Sequence, residues 1–414
     1  MDINEIKESS GKNIEICGCA YRIRKASGLV FVFLRHGKDT LQAVYVPGVC
    51  TTPISELPEG AYIKATASVK EEKRSENGIE LTLKEFSVIS KPVEEYPLAV
   101  SQPTLGCTLD ANISNRTTAL RHPSQSAIMG IRSTALFAFE EFMQNNSFTH
   151  ISTPKISPIT AEKEYIQVRY FDTDATLSKS HTPYLIMSMG GFDKVYTVGE
   201  CYSSKNRNSI RHLNEFTQLA FETAYESEPD DICKLLTDVI AYVTEKIVSR
   251  CQTQLKTQDI SLEIPQNIPK ITYSEAKSIL CTSVSENDLD PTDERKLCQY
   301  ALENFGTSYV FITKMPAQNR PFYEKPDTGF VLLYNGIEIA SGGEHISDYN
   351  EQRDKLVKLG VEINSFESFL SAHKYSLPPI GGAKIGLERL IMQLLNLENI
   401  RLAVPFPRDL HYIL

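Results

Sequence analysis

The sequence predicts an α+β chain, an N-terminal β-barrel followed by a larger domain in which an antiparallel sheet is flanked by helices. Three observations predict it. Residues 14 to about 92 are a succession of short β-branched and aromatic runs broken by Gly and charged turns. From Ser124 onward the period changes, and apolar residues recur at three- and four-residue spacing. Between the two lies a stretch without periodicity that holds Pro97, Pro103 and Gly106. The domains therefore read as 1–95 for the barrel, 96–115 for a linker and 116–414 for the larger domain. At about 100–200 residues per domain, 414 residues allow two or three.

The barrel strands are IEICGCAYRI, GLVFVFLR, LQAVYVPG, AYIKATASVKEE and IELTLKEFSVIS. The last two are separated by SENG at 75–78, a hairpin signal. Five short strands and no long helix predict a small barrel such as an OB-fold. In the larger domain, Ile128, Ile131, Ala135, Phe139 and Phe142 mark one face of a long amphipathic helix. A second helix covers 230–250, with Asp230 and Asp231 in its first turn and a stripe from Leu235 to Ile247. Strands are expected at 194–199, 216–224, 308–313 and 329–340. A last helix follows Gly381-Gly382 and runs through Leu387, Leu390 and Leu394.

Hydrophobic residues make up 41% and charged residues 23%, enough for a sizeable core in a soluble protein. A net charge of -9 argues against a general polyanion binder. It leaves room for a local basic surface at Lys12, Arg22, Arg24, Lys25, Arg35 and Lys38, which on charge alone also reads as a solvated strand face. There are nine cysteines without a CxxC pair, so zinc spacing is missing and reduced thiols in a cytoplasmic setting are expected. The first residues lack an apolar signal core, and no apolar run nears the ~20 residues that span a bilayer.

The chemistry-bearing motifs lie in the C-terminal half. PKI at 154–156, VGECYSSKNRNSIRHLNEFTQLAFE at 198–222 and GGAKIGLERL at 381–390 resemble, in order, the three signature motifs of class II aminoacyl-tRNA synthetases of the aspartyl/asparaginyl type. YFDT at 170–173, RPFY at 320–323, IEIASGG at 337–343 and ENIRLAVPFPRD at 398–409 fit the same pattern, the last in its archaeal and eukaryotic-type form. The resemblance implies an OB-fold anticodon-binding domain joined to a class II catalytic domain. It further implies ATP and Mg²⁺ as cofactors, an amino acid and a tRNA as partners, and a two-fold homodimer built on the first long helix and PKI.

Residue by residue, Phe216 matches the aromatic that stacks under adenine, and Arg389 the arginine on the other face that reaches the phosphates. Arg211 and His212 match the basic loop near the outer phosphates. Glu338, with Ser341, matches the metal-binding position. Glu162, Tyr184, Ser341, His345 and Gly382 fall at substrate-binding positions. In the barrel, Arg24, Phe31 and Gln42 fall where the family holds the middle anticodon base, a uridine, by stacking and edge hydrogen bonds. Taken alone, Phe31 also fits a barrel-core residue, Phe216 a buried strand residue and Glu338 an edge-strand charge.

The departures bear on the chemistry. The family's motif-two Phe-Arg-Ala-Glu run is here Tyr202-Ser203-Ser204-Lys205, so the arginine that contacts the α-phosphate and the substrate carboxylate is Ser203. The lysine and arginine that read an acidic substrate are gone, with Glu344-His345 where the family has Gln-Arg. Val331 and Asn335 replace an acid and an arginine upstream. Much positive charge is thereby removed on the substrate side, which argues against tightly bound aspartate. Lys384 stands at a glycine position of the third motif. It either supplies the charge lost at Ser203, for which Lys205 and Arg207 are other candidates, or fills the pocket and leaves it inactive.

Three functions follow. The first is ATP-dependent activation of an amino acid and its transfer to a tRNA with a central anticodon uridine. The second is a tRNA-independent ligase that forms an amide through an acyl-adenylate, as synthetase-like asparagine synthetases do. The third is a tRNA-binding paralogue without adenylation.

Overall fold

The computed structural model describes residues 1–412 except 27, 38, 76, 159–163, 207–208, 226–229 and 283–288, and gives no side-chain account of 230, 231 and 319. Of the residues singled out above, Lys38, Glu162 and Arg207 lie outside the described set. The chain forms two compact units, Met1–His122 and Pro123–Leu414.

The first unit holds the five expected strands, β1 (Asn13–Ala26), β2 (Leu29–His36), β3 (Asp39–Tyr45), β4 (Tyr62–Glu71) and β5 (Ile79–Ser90). They close into a barrel in the order β1-β2-β3-β5-β4. Closure leaves no open edge and lets alternate residues fill the interior. Val30, Val32 and Leu34 of β2 and Leu41, Ala43 and Tyr45 of β3 point into that core. Residues 96–115 belong to the same unit, where Leu98 and Val100 pack with Ala119.

The second unit is built on an eight-stranded sheet. Its strands are β6 (Thr149–His150), β10 (Lys194–Tyr202), β11 (Glu215–Ala224), β12 (Lys270–Thr272), β13 (Tyr309–Thr313), β14 (Phe330–Tyr334), β15 (Ile337–His345) and β16 (Ile380–Gly386). A separate three-stranded sheet is made by β7 (Ile156–Ser157), β8 (Gln167–Tyr170) and β9 (Thr173–Leu177). The large sheet runs β12-β13-β14-β15-β16-β11-β10-β6 and is antiparallel except at β12–β13 and β10–β6. The helices Pro123–Asn145 and Asp230–Arg250 pack together with Leu219, Phe221, Ala383 and Ile385 in one core. Since neighbouring strand residues point to opposite faces, Gln218 and Lys384 face away from those helices.

Two of the elements read from the sequence differ in the structure, and β6 to β9, β12 and shorter helices such as Thr182–Ser188 and Pro291–Phe305 are not among those the sequence reading names. The run 329–340 is a hairpin, β14 and β15, turned at Asn335 and Gly336, whose φ values of 48° and 83° are those of a two-residue Asn-Gly turn. Gly381-Gly382 opens a strand, and the helix Leu387–Leu394 starts only after Gly386. Glycine was read there as helix punctuation. It is used instead because β16 is crowded: a Cβ on Gly382 would fall 2.2 Å from the Phe221 carbonyl oxygen.

Candidate active site

The face of the large sheet opposite the two long helices carries a cavity of about 580 Å³. Its floor follows from register. Phe216 and Gln218 stand two apart on β11, with Gly386 opposite Gln218. The next row on the same face is Ala220, Lys384 and Ser341, across three strands. Phe216, Gln218, Gly386, Lys384 and Ser341 all line the cavity.

One end is rich in groups suited to phosphates. Arg389 sits in the first turn of the helix that follows β16, which projects it back over the floor. Its Nη1 donates to the Glu338 carbonyl at 2.8 Å and its Nε to the Arg211 carbonyl at 3.4 Å. Arg211 is on the loop before β11 and donates through Nη1 to Glu294. His212 is fixed by a 2.7 Å contact between its Nδ1 and the Ser209 hydroxyl. The Glu338 side chain lines the same end. The other lining carboxylate, Glu388, is occupied by Arg132 at 2.9 Å and by the Thr217 N–H at 3.0 Å.

The other end surrounds Ser203. Its backbone N–H donates to Asn214, whose amide donates back to the Ser203 carbonyl at 2.6 Å, so the loop is closed around it. Lys205 lies 3.7 Å from Glu164. Tyr202 donates to the Ser178 carbonyl at 2.9 Å, which sets Lys179 and Ser180 beside the end of β10. Lys179, Ser203, Lys205 and Lys384 line the cavity together. Among the described lining residues, six Lys or Arg stand against two Glu, so the cavity suits an anion.

Seven of the site residues named from sequence therefore share one cavity: Phe216, Arg211, His212, Glu338, Ser341, Lys384 and Arg389. Three do not line it. The Tyr184 hydroxyl donates to Ser157 at 2.9 Å. His345 Nε2 is 2.7 Å from the buried Glu222 carboxylate, and Gly382 lies beneath that carboxylate. No group of three or more His, Cys, Asp or Glu that could hold a metal occurs among the described residues. One free carboxylate beside a hydroxyl on the same strand does fit Mg²⁺, which takes few protein ligands and leaves the rest to phosphates and water.

In the first unit, Arg24 pairs with Phe31 across β1 and β2, and Gln42 lies on neighbouring β3 opposite Phe33. Since Val30, Val32 and Leu41 face inward, Phe31 and Gln42 face outward by alternation. Phe31 is half-buried on that outer face, not a core residue. Gln42 donates to Glu80 at 2.7 Å, and Arg22 stacks over Phe33 at 5.6 Å.

Sequence reasoning missed Glu294, Lys179 and the pair Arg320–Glu324. Glu294 reads as an ordinary first-turn acid behind the cap Asp290. Nothing local marks its partner on a loop 83 residues away. Burial pushes its carboxyl up to about 7 despite the Arg211 charge.

The chain matches the family model of class II tRNA synthetases (D, K and N) over residues 108–410. It belongs to that family. This synthetase is 32% identical to the aspartate–tRNA(Asp) ligase of Pyrococcus furiosus across 98% of its own length and 97% of the relative's. It is 30% identical to the aspartate–tRNA(Asp/Asn) ligase of Deinococcus radiodurans, over 98% and 97%. In fold it is similar to asparaginyl-tRNA synthetase from Pyrococcus horikoshii complexed with asparaginyl-adenylate, with a TM-score of 0.88 over 98% of this chain and 97% of that one, at 23% identity. Barrel and catalytic sheet thus share the architecture of aspartyl/asparaginyl-tRNA synthetases. No described helix is long and apolar enough to cross a membrane.

Proposed function

We propose that the protein is an ATP-dependent aminoacyl-tRNA ligase with an altered amino-acid pocket. It activates an amino acid as its adenylate and transfers it to a tRNA. The observation that carries this reading is the single cavity that holds Phe216, Arg211, His212, Glu338 and Arg389 at one end and Lys384 on its floor. Phe216 and Arg389 clasp the adenine. Arg211 and His212 take the outer phosphates, and Glu338 with Ser341 would hold a Mg²⁺, whose charge would neutralise them. The amino-acid carboxylate attacks the α-phosphorus, the bond to the β-phosphate oxygen breaks, and pyrophosphate leaves. Lys384 on the floor and Lys205 at the Ser203 end face the charge that builds on the α-phosphate where Ser203 stands in place of an arginine. Preorganised positive charge at that point is worth about 10²–10³ in rate.

The tRNA enters through the barrel. Arg24, Phe31 and Gln42 hold the central uridine of its anticodon, Phe31 by stacking. Two copies pair through the helix Pro123–Asn145 and the segment after it, in the cytoplasm. Of the substrate-binding set, Glu162 takes the amino acid's ammonium.

ATP–pyrophosphate exchange against every standard amino acid, with and without total tRNA, tests this. Exchange with one amino acid, followed by its attachment to tRNA, is the expected result. Exchange without attachment points instead to an amide-forming ligase. A second reading is favoured by Ser203, the lost motif-two arginine: a tRNA-binding paralogue without adenylation. Absence of exchange together with tRNA retention supports it.

A further inference from the structure

Beyond Lys384 the cavity floor stops although the sheet does not. The next row on the same face is Glu222, Gly382 and Gly343, in register across β11, β16 and β15. None of the three lines the cavity. The space above them is plugged by side chains. The Glu222 carboxylate lies over Gly382, where a Cβ would fall 2.1 Å from its Oε2. His345 reaches back from the following row and brings Nε2 to 2.7 Å from that same oxygen. Beside them the Glu324 carboxylate covers Gly343 and Gly329, whose added Cβ atoms would fall 3.1 Å from its Cδ and 2.1 Å from its Oε1. Arg320 grips it in a two-pronged pair, Nε to Oε1 at 2.5 Å and Nη2 to Oε2 at 2.8 Å.

The plug is shut off from bulk solvent. Glu222 and His345 are 1% and 3% exposed, Glu324 and Arg320 2% and 10%. The His345 ring also meets Tyr323 edge-on, with centroids 5.2 Å apart. Opening the Arg320–Glu324 pair leaves a buried charge without a partner, and opening the Glu222–His345 contact leaves buried polar groups unpaired. Three glycines give these carboxylates their room, so the backbone is shaped around the plug.

We infer that this wall restricts the cavity to a small, uncharged amino acid, in the size class of glycine, alanine and serine, with Glu222 and His345 as specificity-determining residues. The inference rests on the reading of the cavity as an amino-acid-activating site. A short side chain ends at the Lys384–Ser341 row. A longer one has to break a buried pair. An acidic one brings a second carboxylate toward Glu222 where water does not screen it. A single methylene against a packed wall discriminates about 10- to 200-fold.

The test uses the full-length chain with glycine, alanine, serine, asparagine, aspartate and leucine. Pyrophosphate exchange is measured for each, beside calorimetric binding of each in the presence of a non-hydrolysable ATP analogue. The wild type is expected to bind and exchange the three small amino acids at least about tenfold better than the other three. His345→Ala is expected to raise leucine and asparagine relative to alanine by at least about tenfold, since it removes the ring that closes the wall. Glu222→Gln, which keeps the volume, is expected to raise aspartate relative to leucine. Affinity of each variant for the ATP analogue alone reports whether the nucleotide end is intact. A wild type that favours a large or acidic amino acid overturns the wall while leaving activation standing. An unchanged profile in His345→Ala overturns it as well. Size-ordered binding without exchange supports the wall and overturns activation, and no binding of any amino acid overturns both.

Discussion

Lys384 is the residue on which the chemistry turns, and its position is set by backbone register. It lies between Ala220 and Ser341 on the central strand of three, on the cavity face. That row across three strands sets it over the middle of the floor, and its charge bears on the Glu222 carboxyl of β11. Burial still wins at Glu222 and raises its carboxyl, so Lys384 does not cancel the cost of that burial. Lys384→Gly therefore restores a flat floor and removes the central cation. Its exchange rate is expected to fall by about 10²–10³, with tRNA retention on a filter unchanged. An equal loss of both would show a folding defect instead. This residue was legible in the sequence because a lysine in a glycine-rich motif is conspicuous. Lys179 was not, because its place beside Ser203 is decided by a backbone hydrogen bond between Tyr202 and Ser178.

At the scale of elements, the barrel strands and the longer strands of the large sheet are legible in the sequence, the turn between β14 and β15 and the glycine-bearing β16 are not, and β6 to β9 and β12 are too short for a period to show. Asn335-Gly336 is a hairpin signal that was read through, because apolar runs on both sides fuse into one long strand pattern. The barrel was the most legible element, but its apolar β2 shows an inner side, Val32 and Leu34, and an outer one, Phe31 and Phe33, only once the barrel is closed. With Arg24 across from it and Gln42 on the adjoining strand, Phe31 offers a face to a base. Phe31→Ala is expected to weaken tRNA binding by about 1–3 kcal/mol, with amino-acid-dependent exchange in the absence of tRNA unaffected. The helix Pro291–Phe305 makes a second case. Its cap Asp290 accepts from the N–H groups of Thr292 and Asp293, at 2.6 and 2.9 Å. Asp290→Ala is expected to cost about 1 kcal/mol in denaturant unfolding. Because the first turn of this helix carries Glu294, which holds Arg211, the same change is expected to raise the KM for ATP and leave the KM for the amino acid alone.

Over the whole molecule, buried histidines make stability fall toward acid pH, against the opposite contribution of the raised Glu294 carboxyl. His181 is fully buried, with Nδ1 2.7 Å from the Thr153 hydroxyl. Burial, and then the charge of Lys155, hold it down from 6.5 to about 4. His122 and His373 are lowered too, each first by burial. A histidine whose folded pKa is depressed binds fewer protons in the native than in the unfolded state across that window, so stability rises with pH there. The contribution is fully present above 6.5 and is lost as pH falls toward about 4. At roughly 1.4 kcal/mol for each pH unit between those values, His181 sets a ceiling of about 3 kcal/mol. His181→Gln keeps a hydrogen-bonding group at the site and cannot take up a proton. Urea unfolding from pH 7 down to 5 is therefore expected to show a shallower decline for the variant than for the wild type. Parallel declines would mean that His181 takes up its proton as readily in the folded protein as in the unfolded chain, and that its burial behind Gly199 and Thr153 does not keep protons out.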